Sequence, residues 1–140
     1  MRVLFDTNVV LDVLLKREPW VTEAAAIWQA NDEGRITGHI LASALTDVFY
    51  VARRQKGIQA ARAAILTCLE AFEVCTVDRQ TLERAVALPG NDFEDNLQIA
   101  GASVVGLDAI VTRNKPDFKG ATIPVLTPME LLAQLGVLPA

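Results

Sequence analysis

Cysteine, histidine and aromatic residues are scarce in this 140-residue chain, and no long apolar run crosses it. Two cysteines, Cys68 and Cys75, are too few for a disulfide framework, and no Cys/His spacing suggests zinc. Cys68 falls on the apolar face of an expected helix and Cys75 inside an expected strand, so both read as packing residues, unbridged in a reducing compartment. The single His39 excludes a histidine cluster. No apolar stretch reaches the length of a membrane span, and the N-terminus lacks the basic, apolar, then small-residue order of a signal peptide. A cytoplasmic protein with no membrane association is therefore expected. Positive charge is in deficit, with 13 Lys and Arg against 17 Asp and Glu and a net charge of −4. That balance excludes a protein that coats nucleic acid nonspecifically, which needs many cation–phosphate contacts, but not an enzyme that engages a short stretch of RNA. Candidates for base stacking are few: Trp20, Trp28 and Tyr50, with Trp28 on an amphipathic helix as a core or interface residue.

What the chain does have is apolar content, 51% of residues, enough for one continuous core. Helical and strand patterns alternate. Strands are expected at Val3–Phe5, Ile36–Ile40, Glu73–Val77, Ala109–Thr112 and Ile123–Leu126. Helices are expected over 8–16, 19–31, 43–56, 58–71, 79–88 and 93–105, and from Pro128 onward, with Gly57 and the turn Pro89-Gly90-Asn91 as breaks. This order implies an α/β fold: five mostly parallel strands in one sheet, helices on both faces, and a single domain over 1–140.

Asp6 directly follows the first apolar strand, with Thr7 or Asn8 available to cap the next helix and Asp12 one and a half turns on. In parallel α/β sheets, ligands and catalytic groups collect at the carboxyl ends of strands. A carboxylate there is costly to desolvate unless a cation or hydrogen-bond donors compensate it, which points to a metal. Three further segments offer acids. Asp47 lies off the buried stripe Leu45, Val48, Phe49, Ala52, beside Tyr50 and Arg54; alone it is a solvated helix residue. Asp92, Glu94 and Asp95 open a helix whose core stripe is Phe93, Leu97, Ala100 and Val104; alone they serve as N-cap, capping-box acid and dipole partners. Thr112, Arg113 and Asn114 follow a strand as Asp6 does, and Asp117 stands nearby as a turn residue. Taken together, several acids at one sheet edge suit one or two Mg²⁺ or Mn²⁺ ions, hard cations that take oxygen ligands and keep waters. Two such ions ~3.5–4 Å apart could activate a water against a phosphodiester.

The segments VLFDTNVVLD (3–12), Thr46-Asp47, DFEDNLQIAGA (92–102), IVTRNKPDF (110–118) and IPVLTP (123–128), in that order, resemble the PIN-domain family, the fold of the VapC-type ribonuclease toxins. The resemblance spans nearly the whole chain. It implies a Rossmann-like five-stranded parallel sheet, Mg²⁺ or Mn²⁺ as cofactor and cleavage of single-stranded RNA. By position, Asp6 and Asp95 match the first and third metal-binding acids. Asp47 takes the second place, where the family usually has the longer Glu. The fourth falls on Asn114, with Asp117 as the nearby carboxylate that could substitute. Thr112 matches a hydroxyl that ligates or positions water, and Asn8 a residue that orients Asp6. RNA contacts are expected from Arg113 and Lys115, flanked by Lys119, and from Arg53, Arg54 and Lys56. A VapB-type antitoxin partner and a homodimer follow from the same resemblance.

Two other classes stay open. One is a PIN-fold protein that binds nucleic acid or a partner with weak or no nuclease activity, favoured by Asp47 and Asn114. The other is a receiver-like or phosphatase α/β domain. Asp78 follows the Glu73–Val77 strand as a phospho-acceptor would, but Val125-Leu126-Thr127-Pro128 lacks the lysine a receiver needs.

Overall fold

The computed structural model describes residues 1–137; residues 138–140, within the expected domain, lie outside the described residues. Five parallel strands form one sheet in the order β3-β2-β1-β4-β5. The strands are β1 (Arg2–Phe5), β2 (Thr37–Leu41), β3 (Glu73–Cys75), β4 (Ala109–Val111) and β5 (Val125–Leu126). Seven helices connect and cover them: α1 (Thr7–Leu14), α2 (Val21–Asp32), α3 (Ala42–Lys56), α4 (Ile58–Ala71), α5 (Arg79–Ala87), α6 (Phe93–Val105) and α7 (Pro128–Leu135), with a 3₁₀ turn at Lys115–Asp117. The expected α/β architecture is the observed one. After Arg2, β1 is apolar like β4 because both faces are covered: Val3, Leu4, Phe5, Ile110 and Val111 are fully buried.

The strand order reverses beside β1, between β1 and β4, and this makes a crevice at the carboxyl edge of the sheet. In the β1–β4 ladder Phe5 pairs with Val111, so Asp6 and Thr112 leave the sheet side by side.

Several boundaries differ from expectation for identifiable reasons. β3 stops at Cys75, which pairs with Leu41, the last residue of β2; Thr76 and Val77 have no strand left to pair with. β5 shrinks to two residues, since β4 offers only Ile110 and Val111 as partners and Pro124 has no N–H to donate. Helix α1 starts at Thr7, so Asp6 holds the cap position, and neither Thr7 nor Asn8 acts as the cap. Phe93 is 44% exposed rather than core; the first turn of α6 projects past the sheet, and burial begins at Asn96. From there to Ala102 the helix is buried on all sides, because α5 covers the side turned away from the sheet. Cys68 and Cys75 are buried free thiols, as expected, and burial pushes Cys68 up to about 11. Trp28 packs in the core, edge-on to Phe72.

Candidate active site

The crevice beside β1 opens into a cleft of about 310 Å³. Six carboxylates line it: Asp6, Asp47, Asp92, Glu94, Asp95 and Asp117. They come from four separate places in the chain, brought together by the fold. Asp6 is delivered by the end of β1. Asp47 sits on α3, one turn beyond Ser43, so both face the cleft that begins where β2 ends at Leu41. Asp92 is the N-cap of α6, its Oδ1 accepting from the Asp95 N–H at 3.1 Å. Asp95 itself does not reach back to complete a capping box. An Asp is a methylene shorter than the Glu or Gln that motif uses, and its carboxylate lines the cleft instead. Asp117 comes from the 3₁₀ turn after β4. The turn is anchored by buried Phe118, and Gly120 (φ +79°) lies so close to Pro89 that a Cβ there would sit 2.6 Å from the proline ring.

Asp6 is almost fully buried and tightly oriented. The Thr112 hydroxyl donates to its Oδ2 at 2.7 Å, and the Asn114 N–H donates to that same hydroxyl oxygen at 3.0 Å. The second interaction directs the threonine proton toward Asp6. Gln98 Nε2 lies 3.4 Å from Asp6 Oδ1 and 3.4 Å from Thr7 Oγ1. Burial raises the Asp6 pKa; the Thr112 hydroxyl, the Thr7 amide and the Arg113 charge act in the opposite direction. Asp95 is pushed up to about 7, by burial first and then by the charges of Asp92, Asp6, Asp117 and Glu94. Glu94 is also raised, by burial and then by the charge of Asp47 and a hydrogen bond with it. Burial leads all three shifts, and neighbouring carboxylates add to those of Asp95 and Glu94.

The expected residues divide by place. Asp6, Asn8, Asp47, Asp95 and Asp117 meet in the cleft. Asn114 is not in its lining; it holds the N-cap position of the 3₁₀ turn and contributes its main-chain N–H to Thr112. Thr112 is fully buried behind Asp6. Asn8 lines the cleft, and its carbonyl accepts from Arg17, while the groups that orient Asp6 are Thr112 and Gln98. Arg113 is committed elsewhere: it donates to buried Asp12 at 2.7 and 3.3 Å and lies 3.9 Å over the Trp20 ring. Lys115 bonds Glu130. Arg53, Arg54 and Lys56 are exposed at the end of α3, with Arg54 on the same side of the helix as Asp47 and Tyr50.

Glu94 and Gln98 were not singled out as site residues from sequence. Glu94 is explained equally well there as a helix-start acid. Gln98 carried one usable signal, its position three residues after Asp95, which places both on one helix face.

Residues 2–116 match the family model of the PIN domain. The chain belongs to the PIN-domain family. No curated protein sequence matches it. Among solved structures, this PIN domain is similar to a chain of a toxin–antitoxin complex from Klebsiella pneumoniae, with 27% identity, a TM-score of 0.67, and coverage of 90% of this chain and 97% of that one. It shares its fold with a chain of the DNA-bound VapBC complex of Salmonella typhimurium (18% identity, TM-score 0.70, 91% and 98% covered). The same holds for VapC20 of Mycobacterium tuberculosis, described as a sarcin–ricin loop cleaving toxin (17% identity, TM-score 0.64, 77% and 86% covered).

The donor set of this PIN domain suits a hard divalent cation: it is rich in carboxylate oxygens and holds no thiol or imidazole, and burial together with the neighbouring charges raises Asp95. Among the described residues, no three His, Cys, Asp or Glu side chains are arranged to hold an ion by themselves. Mg²⁺ and Mn²⁺ fit such a site because they retain several waters and need only one or two carboxylates directly.

Proposed function

We propose that this PIN domain is a Mg²⁺- or Mn²⁺-dependent endoribonuclease that hydrolyses single-stranded RNA, acting as the toxin of a toxin–antitoxin pair in the cytoplasm. The observation that carries this reading is the convergence of six carboxylates on one cleft at the point where the strand order reverses. Structural carboxylates would be paired with cations, as Asp12 is; those of the cleft face one another. Asp6 and Asp95 would hold the metal, with Asp47 and Asp117 completing its environment directly or through water. Such an ion would lower the pKa of a coordinated water and offset charge building on the phosphate. The protein's own part is to hold Asp6 in one orientation, through Thr112, and to keep the acids close enough that a cation is needed.

RNA would approach along α3, where Tyr50 offers a stacking face and Arg53, Arg54 and Lys56 offer phosphate contacts. Lys119 lines the adjoining cavity with Asp92, Asp95 and Asp117 and is a second candidate contact. The toxin assignment and a VapB-type antitoxin partner are supported by the toxin–antitoxin complexes from which the structural relatives come. A homodimer is part of the same proposal, supported by the apolar row Ile58, Leu66, Leu69 exposed along α4.

The test is incubation of purified protein with a mixed single-stranded RNA pool and Mn²⁺, with and without chelator. Internal cleavage that chelator abolishes is expected. Tight Mn²⁺ binding without any cleavage would favour the alternative, a PIN-fold binding protein, for which the short Asp47 arm is the specific argument.

A further inference from the structure

Among the described residues of the acidic cleft wall, Gln98 is the one long uncharged polar side chain, and neither capping nor core packing accounts for it. It is 4% exposed on α6, between buried Leu97 and Ile99, and lines the cleft one helical turn from Asp95. Its Nε2 is shared between Asp6 Oδ1 and Thr7 Oγ1, both at 3.4 Å. Its Oε1 is buried with no hydrogen-bond donor among the described residues. A buried acceptor without a donor destabilises a fold, and an apolar side chain of the same length would fill the space without that cost.

We propose that Gln98 is a positioning residue of the metal site. Its Nε2 would fix Asp6 Oδ1, and its Oε1 would accept a hydrogen bond from a water carried by the cation. This inference rests on the divalent-metal reading above. The division of labour follows from the bonds already present. Thr112 occupies Asp6 Oδ2 at 2.7 Å, which leaves Oδ1 as the oxygen whose direction is still to be set. Thr112 from the end of β4 and Gln98 from α6 then hold the carboxylate from two sides. A cation-bound water has its lone pair engaged and presents only donors, so it needs acceptors around it. A carboxamide supplies one without adding a seventh carboxylate to the six that line the cleft. The two 3.4 Å contacts are long, as such contacts commonly are before a site is occupied.

Gln98→Met and Gln98→Leu remove both amide functions and keep the volume. The full metal-free chain of wild type and both variants would be titrated with Mn²⁺ by calorimetry, and each melted without metal. Mn²⁺ affinity is expected to fall about tenfold or more in both variants, the usual scale for loss of a group that orients a ligand. The metal-free Tm should change little, because the orphaned acceptor is lost together with the two long Nε2 contacts to Asp6 and Thr7. RNA cleavage should lose kcat with KM for RNA unchanged. Wild-type-like Mn²⁺ affinity in the variants would overturn the role. So would a lower metal-free Tm in both, or failure of both to fold, which would make Gln98 a packing residue. A wild type that binds no Mn²⁺ would remove the metal reading itself, and Gln98's role with it.

Discussion

Asp6 is costly for the fold, and in the proposed metal site it is one of the two acids that hold the ion. Buried at the end of β1, it has a raised pKa that only the Thr112 hydroxyl, a main-chain amide and distant Arg113 oppose. Asp6→Asn should abolish RNA cleavage while leaving the metal-free protein as stable or slightly more stable, because a crowded carboxylate is relieved; thermal melts beside a cleavage assay check both halves. Asp95 gives a pH signature. Unfolded, it ionises near 3.8; folded and metal-free, it keeps its proton to about 7. Between those values the native state binds more protons than the unfolded one, so this group's contribution to stability falls as pH rises. The shift is complete once pH passes about 7, and a bound cation cancels it. Melts from acid to neutral pH should show a decline in the metal-free wild type that is smaller in Asp95→Asn and smaller again with Mn²⁺. At the fourth acidic position the sequence left Asn114 and Asp117 open. Main-chain donation by Asn114 and the cleft placement of Asp117 separate them: Asp117→Asn should weaken Mn²⁺ binding more than Asn114→Ala does. Asp47→Ala should slow cleavage by orders of magnitude, whereas Asp47→Glu, which regains the longer arm, should preserve or raise it. A full-rate Asp47→Ala would strike that residue from the site.

Elements were readable from sequence where their signals are local. The strand runs, the Gly57 break and the cap Asp92 depend on neighbours within a few residues, and the structure has them. Features set by distant partners were not readable. The length of β3 is decided by where β2 ends, and the burial of α6 by α5 lying across it. The clearest case is the join between α1 and the end of β4. Asp12 is fully buried and bonds both Arg17, at 2.9 Å, and Arg113, at 2.7 Å, a residue 101 positions away. Arg113 therefore reads from sequence as a substrate contact, while its guanidinium is held in an ion pair inside the fold. Asp12→Ala should destabilise the protein by about 3 kcal/mol, the low end for breaking a buried pair since both arginines still reach solvent, measured by urea unfolding. Another interelement contact supports the cleft wall: a Cβ on Gly101 of α6 would stand 2.5 Å from Leu41 Cδ1, at the end of β2. Gly101→Ala must displace Leu41, which lines the cleft, and should cost about 1–3 kcal/mol.

Across the whole molecule, net charge and local charge point in different directions, and the family resemblance reconciles them. A chain of net charge −4 is a poor general ligand for RNA, yet six of its 17 acids line one cleft while three exposed bases, Arg53, Arg54 and Lys56, stand together at the end of α3. Among the described residues, no helix is long and apolar enough to cross a membrane. The apolar surface on α4, with Leu66 63% exposed, is where the proposed dimer would form; light scattering at micromolar concentration should report twice the chain mass, and monomer alone would refute it. In the proposed site, the carboxylates delivered by β1 and α6 hold a divalent cation together. Calorimetric titration of Mn²⁺ into metal-free wild type, Asp6→Asn and Asp95→Asn tests it most directly. Saturable binding in the wild type, lost or weakened in both variants, is the predicted result; binding that is unchanged in both would contradict it.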